Sequence, residues 1–159
     1  MASSFARSYL ASSYLVDTNI LLRMVQSDSP EHPMIRECVA LLWEGGADLF
    51  FTSQNLAEFW NVCTRPAEKN GFGFSIERTH EHARLISSNL ALAPDSEQTH
   101  QEWMRIVFES RVSGVQVHDA RLAAAMRVHG ISQLLTLNVG DFRRYGIVAT
   151  HPASLREAT

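Results

Sequence analysis

At 159 residues the chain is long enough for one domain with a sizeable core and too short for two ordinary ones. Its 45% hydrophobic and 19% charged content is that of a soluble globular protein, and the net charge of -3 excludes a broadly basic surface, so a polyanion would have to be met by local arginines or by bound cations. No run approaches the ~20 apolar residues of a membrane span, so a cytoplasmic protein with no membrane partner is expected.

Residues 1–12 are small, Ser-rich and without an apolar signal-peptide core, and are expected to be a flexible extension. Tyr14-Leu15-Val16 then predicts a buried strand that stops at a carboxylate, Asp17. Thr18 is placed to cap a helix in which Ile20, Leu21, Met24 and Val25 recur at helical spacing. A second helix is predicted from about Pro33 to Glu44, with Ile35, Cys38, Val39, Leu42 and Trp43 facing inward and Gly45-Gly46 ending it. Leu49 to Thr52 predicts a short strand, and Ser53 the cap of a helix carrying Leu56, Phe59, Trp60 and Cys63 along one face. Residues 66–74 form a loop in which Phe72 and Phe74 alternate with glycines, exposed and able to stack bases or, equally, tucking the loop on its own aromatics.

Ser75 opens a helix to about Leu90, anchored by Ile76, Leu85 and Ile86, and Leu90 to Ala93 is a candidate strand. A helix marked by Trp103, Ile106 and Val107 follows the Asp95/Ser96 cap as far as about Arg111. Val117 to Val128 is the next helix, Gln133 to Leu137 a strand, Asn138 to Arg144 a turn or short helix, and Ile147-Val148 an edge strand. Residues 151–159 are expected to be a tail. Strands alternating with helices through short loops predict a three-layer α/β/α domain over residues 13–150, with a twisted, mostly parallel sheet of four to five strands. Cys38 and Cys63 lie within apolar helical patterns and are expected as buried free thiols.

Three acids stand at informative places. Asp17 ends a strand and faces a helix N-terminus, where open α/β sheets bind ligands, although an acid there can also be a simple cap. Asp119 falls on the inward stripe of its helix when Leu122, Ala123 and Met126 are extended backward, pointing into a cleft or merely favouring the helix dipole. Asp141 follows the strand Leu134 to Leu137, so a parallel neighbour of the first strand would bring it to the same edge as Asp17, and it is equally an ordinary turn residue. Glu58 lies opposite the apolar stripe of its helix and, on the pattern alone, is a solvated surface glutamate. His80 and His82 lie on different helix faces and make no metal pair, and His118 points away from Asp119.

The order Leu-Val-Asp17-Thr-Asn-Ile-Leu-Leu, Ser53-x-x-x-x-Glu58, His118-Asp119-Ala-Arg-Leu-Ala-Ala-Ala-Met and Thr136-x-Asn138-x-x-Asp141-Phe142 resembles the PIN-domain family over about residues 13–149. The size and style resemble the VapC-type toxins of toxin–antitoxin pairs. The resemblance implies an acidic pocket of Asp17, Glu58, Asp119 and Asp141, with Asp17, Asp119 and Asp141 holding Mg²⁺ or Mn²⁺. Asn19, Thr136 and Asn138 would support the site or orient substrate; many relatives carry an acid where Asn138 stands, which implies a weakly held second ion. The implied activity is metal-dependent endoribonuclease cleavage of RNA leaving 5′-phosphate and 3′-hydroxyl ends. The implied partners are a cognate antitoxin protein, suited to an exposed apolar groove between the early helices, and a second copy in a homodimer.

The residue types suit that chemistry. Two carboxylates about 5 Å apart repel by ~3 kcal/mol at an effective dielectric near 20, so four together need protons or a cation. Oxygen donors without a His or Cys set favour Mg²⁺ or Mn²⁺ over Zn²⁺, and such an ion can activate water and stabilise a leaving oxygen. Arg23, Arg65, Arg143 and Arg144 lie within a turn or loop of the acids and are candidates to hold phosphates, or equally are ordinary surface arginines. Two other functions remain open: a catalytically silent PIN-like scaffold, disfavoured by the intact acids, and a phospho-acceptor domain using Asp17, disfavoured by Asn19 where a second acid would be wanted.

Overall fold

Parallel sheets bury both faces, so their strands are apolar on consecutive residues rather than on alternate ones. The strand β1 (Ser13–Val16) is of that kind: Tyr14, Leu15 and Val16 are all buried. In this computed structural model, which describes residues 12–156, β1 is the middle of a five-stranded, wholly parallel sheet. With β2 (Asp48–Phe51), β3 (Ala91–Leu92), β4 (Gln133–Leu135) and β5 (Val148–Thr150), the strand order is β3-β2-β1-β4-β5. The register pairs Leu15 with Phe50 on one side and with Leu134 on the other.

The helices are α1 (Thr18–Val25), α2 (His32–Glu44), α3 (Ser53–Thr64), α4 (Ile76–Asn89), α5 (Glu97–Glu109), α6 (Val117–His129) and α7 (Pro152–Arg156). They form two apolar cores on opposite sides of the sheet. Tyr14, Val16, Leu49, Phe51 and Leu135 meet Ile20, Leu21, Ile35, Cys38, Leu42, Phe59 and Cys63 on one side. Leu15 and Leu134 meet Ile106, Ala120, Leu122, Ala123, Met126, Phe142 and Tyr145 on the other. Each large apolar side chain so buried is worth about 2–3 kcal/mol of transfer free energy. Both cysteines are buried free thiols.

Several local expectations are corrected. Asp17, not Thr18, caps α1: its side chain accepts from the Thr18 N–H. Thr52, not Ser53, caps α3 through a reciprocal pair in which Thr52 Oγ1 accepts from Asn55 N and Asn55 Oδ1 from Thr52 N. Trp43 and Leu85, expected in the core, are 52% and 56% exposed, and Ile76 is exposed as well. The core side of α4 is instead built from Thr79, Ala83 and Ile86. Helix α6 is buried from Leu122 through Met126 without a break, because α5, the sheet and the turn 139–145 surround it.

Of the two readings of the loop 66–74, the structure has the tucked one. The backbone N–H groups of Phe72 and Phe74 donate to the Val62 and Cys63 carbonyls, and their rings pack on the first core and on each other. Arg65 holds that loop by donating to the Asn70 carbonyl. Gly71 has to be glycine, since a Cβ there would lie 1.9 Å from the Arg65 carbonyl oxygen. The segment after β5 does not trail away: it forms α7, whose Leu155 is buried and whose Arg156 pairs with Glu37 of α2 at 3.0 Å. Of the expected N-terminal extension, residues 1–11 lie outside the described residues.

Candidate active site

The chain leaves β1 toward β2 and β3 on one side and later adds β4 and β5 on the other. The strand order therefore reverses between β1 and β4, and the carboxyl ends of these two strands open a crevice there. Asp17 follows β1 and Thr136 follows β4. The Asp17 N–H donates to the Leu135 carbonyl at 3.0 Å, tying the two strand ends together.

The Asp17 carboxylate is buried and accepts on both oxygens. Oδ1 takes the Thr18 N–H at 2.7 Å, and Oδ2 takes the Thr136 hydroxyl at 2.7 Å and Asn19 Nδ2 at 3.3 Å. Asn19 Oδ1 accepts from Leu137 N, and Thr136 Oγ1 accepts from Asn138 N at 3.0 Å. Asn19 and Thr136 thus hold Asp17 from two strand ends. Asn138 contributes its backbone, while its side chain is exposed.

Glu58 is the largest departure from the helical-wheel expectation. It is half-buried, because α3 packs against α1 as well as the sheet. Glu58 Oε2 accepts the Thr18 hydroxyl at 2.7 Å, and Thr18 Oγ1 in turn accepts Asn55 Nδ2 at 3.1 Å. Glu58 Oε1 accepts Gln54 Nε2 at 3.0 Å. Thr18 was expected only as a helix cap, and Gln54 and Asn55 were not singled out from the sequence. The available signal was position: Thr18 directly follows the strand-end acid, and Gln54 sits one helical turn before Glu58.

Glu58 and Asp119 lie within electrostatic reach of Asp17, and Asp141 and Glu58 within reach of Asp119. Burial pushes the Asp17 carboxyl up to about 6, against the hydrogen bonds from Thr136 and Thr18 that hold it down, and the Glu58 and Asp119 carboxylates add to the rise. Half-buried Asp119 is also raised, first by burial and then by Asp141 and Glu58, while His118 and Arg144 pull it back. Asp141 is exposed, in the turn Val139–Tyr145, at the outer lip of the group. Arg144 bonds Gln116 and lies 5.4 Å from the Tyr145 ring, and Arg143 is exposed in the same turn. Arg23 is engaged with Gln26 and, at 3.9 Å, with Glu31.

Among the described residues, no group of three or more His, Cys, Asp or Glu side chains is arranged to hold a metal ion. The acids do gather like charge around a buried carboxylate, only partly offset by His118 and Arg144, with oxygen donors only. That donor set fits a hard divalent cation that keeps several of its waters, and does not fit zinc.

The family model for the PIN domain matches residues 14–148. The chain is 28% identical to Ribonuclease VapC24 of Mycobacterium tuberculosis over 141 residues, covering 82% of this chain and 90% of that protein. Two solved structures share the fold. DNA-bound VapBC from Salmonella typhimurium matches with a TM-score of 0.68 and 18% identity, over 89% of this chain and 98% of that chain. VapBC2 from Rickettsia felis, bound to a DNA fragment from its promoter, matches at 0.67 and 17%, over 87% and 98%. With strand order, the acids at the sheet's switch point and the family match in agreement, the chain belongs to the PIN domain family.

Proposed function

We propose that this protein is a metal-dependent endoribonuclease, the toxin half of a toxin–antitoxin pair. The observation that carries the proposal is the buried Asp17 carboxylate at the sheet's switch point, held on both oxygens by Thr18, Thr136 and Asn19, in a chain similar to a VapC ribonuclease. An intact, coupled set of acids disfavours a silent scaffold, and Asn19 is engaged with Asp17 and Thr136 rather than replacing a second acid.

Asp17 and Asp119 would hold the principal Mg²⁺ or Mn²⁺, and Asp141 would assist at the rim. Bound there, the ion would supply an activated water and neutralise charge on the phosphodiester's leaving oxygen. The protein's own part is orientation. Thr136 and Asn19 fix the Asp17 oxygens, Thr18 fixes Glu58 Oε2, and Glu58 would ligate the ion or position the attacking water for cleavage to 5′-phosphate and 3′-hydroxyl ends. Incubating the purified protein with RNA and Mn²⁺ tests this: wild type should cut and Asp119→Asn should not. Equal cutting by both would refute the assignment.

Arg143 and Arg144 are exposed beside the acids and suit phosphate contacts. Reversing either charge should weaken RNA binding and reduce the slope of affinity against salt by about one. Binding titrations at several salt concentrations would measure this, and an unchanged slope would remove these residues from the interface.

The antitoxin has a suitable seat. An open groove of about 540 Å³ runs between α1, α2 and α4, lined by Leu21, Met24, Val39, Trp43 and Leu85 among others. The exposure of Trp43 and Leu85, costly for a lone chain, is accounted for if an apolar segment of the antitoxin covers them. Trp43→Glu should weaken a purified toxin–antitoxin complex by a hundredfold or so, a hot-spot effect of about 3 kcal/mol, and leave cleavage by the free toxin unchanged. Undiminished affinity would place the antitoxin elsewhere. A homodimer in the cytoplasm completes the proposal; no helix among the described residues is long and apolar enough to cross a membrane.

A further inference from the structure

Gln54 sits in the first turn of α3, half-buried, one turn ahead of Glu58. Its Nε2 donates to Glu58 Oε1 at 3.0 Å and also to the backbone carbonyl of His118 at 3.0 Å, on α6 beside Asp119. The His118 carbonyl can only accept, so it fixes which end of the amide faces it. The opposite end, Oε1, is buried and makes no hydrogen bond with the described residues.

A Gln–Glu pair one turn apart is an ordinary helix-surface contact and by itself implies nothing. Here the same nitrogen also crosses to a second helix. A leucine at this position would cover the same ground but could bond neither Glu58 nor the α6 carbonyl, and those are the contacts the amide supplies. Everything the amide bonds belongs to the acidic site. One oxygen of Glu58 is held by Thr18 of α1 and the other by Gln54, which also grips the turn that carries Asp119.

We propose that Gln54 is a positioning residue that sets Glu58 relative to Asp119 by clamping α3 to the first turn of α6. This rests on the ribonuclease proposal for the site. Loss of the clamp should act on turnover through Glu58, with little effect on RNA binding or on the fold.

The test uses the full chain and four proteins: wild type, Gln54→Leu, Glu58→Gln and the double variant. Calorimetric Mn²⁺ titrations without RNA are combined with melting curves, and wild type and Gln54→Leu are also compared in steady-state cleavage of a short RNA. Gln54→Leu should lower kcat about tenfold, equivalent to about 1.4 kcal/mol, with KM within about twofold and an unchanged melting temperature. It should weaken Mn²⁺ binding several-fold, and the double variant should bind Mn²⁺ no more weakly than Glu58→Gln. Wild-type kcat and Mn²⁺ affinity in Gln54→Leu would overturn the proposal, as would independent, additive losses in the double variant or a fall in kcat that tracks melting temperature. A wild type that cuts no RNA would defeat the ribonuclease proposal while the Mn²⁺ titrations still decide the clamp, and a wild type that neither cuts nor binds Mn²⁺ would defeat both.

Discussion

Asp17→Asn is expected to reduce RNA cleavage by about three orders of magnitude, or ~4 kcal/mol of transition-state stabilisation, and at the same time to stabilise the metal-free protein above pH 7. The two effects share one cause. Burial raises the Asp17 carboxyl from 3.8 to about 6, so between these values the native chain keeps a proton that the unfolded chain has released. Stability from this group is full below about pH 3.8 and is lost as pH rises through about 6, amounting to about 3 kcal/mol. Asparagine carries no charge and does not incur that loss. Its gain is partly offset because one amide position must face the donor Asn19 Nδ2, where Asp17 Oδ2 now accepts at 3.3 Å. Denaturant midpoints of both proteins in chelator should therefore diverge as pH rises from 4 to 8, with the variant ahead. A parallel pair of pH profiles, or retained cleavage, would contradict this role for Asp17.

Removing divalent metal should silence the wild type completely, and restoring Mn²⁺ should recover activity and raise the melting temperature. At a hundredfold excess over Kd, binding to the native state alone contributes about 2.7 kcal/mol, or roughly 5–10 °C for a domain of this size. The shift should shrink below pH 6, where Asp17 takes up the proton that competes with the ion. Asp17→Asn should show almost no shift at any pH. Thermal melts with and without Mn²⁺ at pH 5 and pH 8 separate these cases. Equal shifts in both proteins would mean that the ion binds away from Asp17.

The strand–acid–helix unit at residues 14–25 was legible because three apolar residues, an acid and a helical stripe are local signals. The parallel sheet followed from the alternation of such units. What lay outside local pattern was contact between elements. Glu58 looked solvated because a helical wheel assumes one buried face, whereas α3 also meets α1, and Thr18 reaches Glu58 across forty residues of sequence. Trp43 and Leu85 looked like core because apolar periodicity does not distinguish a core from a groove. Phe72 and Phe74 looked exposed because their glycine neighbours suggested a loose loop, yet backbone bonds to the end of α3 fold that loop onto the core. Thr52 was hidden as a cap by its strand-forming side chain, and Asn55, the other half of that box, became visible only once Thr18 and Glu58 were placed.

The central claim is that Asp17, Glu58, Asp119 and Asp141 form one RNA-cutting site. Its most direct test is sequencing of RNA ends after induced expression of wild type and of Asp119→Asn. The wild type should generate new 5′-phosphate ends at a discrete set of positions, and Asp119→Asn, expressed to the same level, should generate none. New ends appearing equally with both proteins, or with neither, would contradict the account.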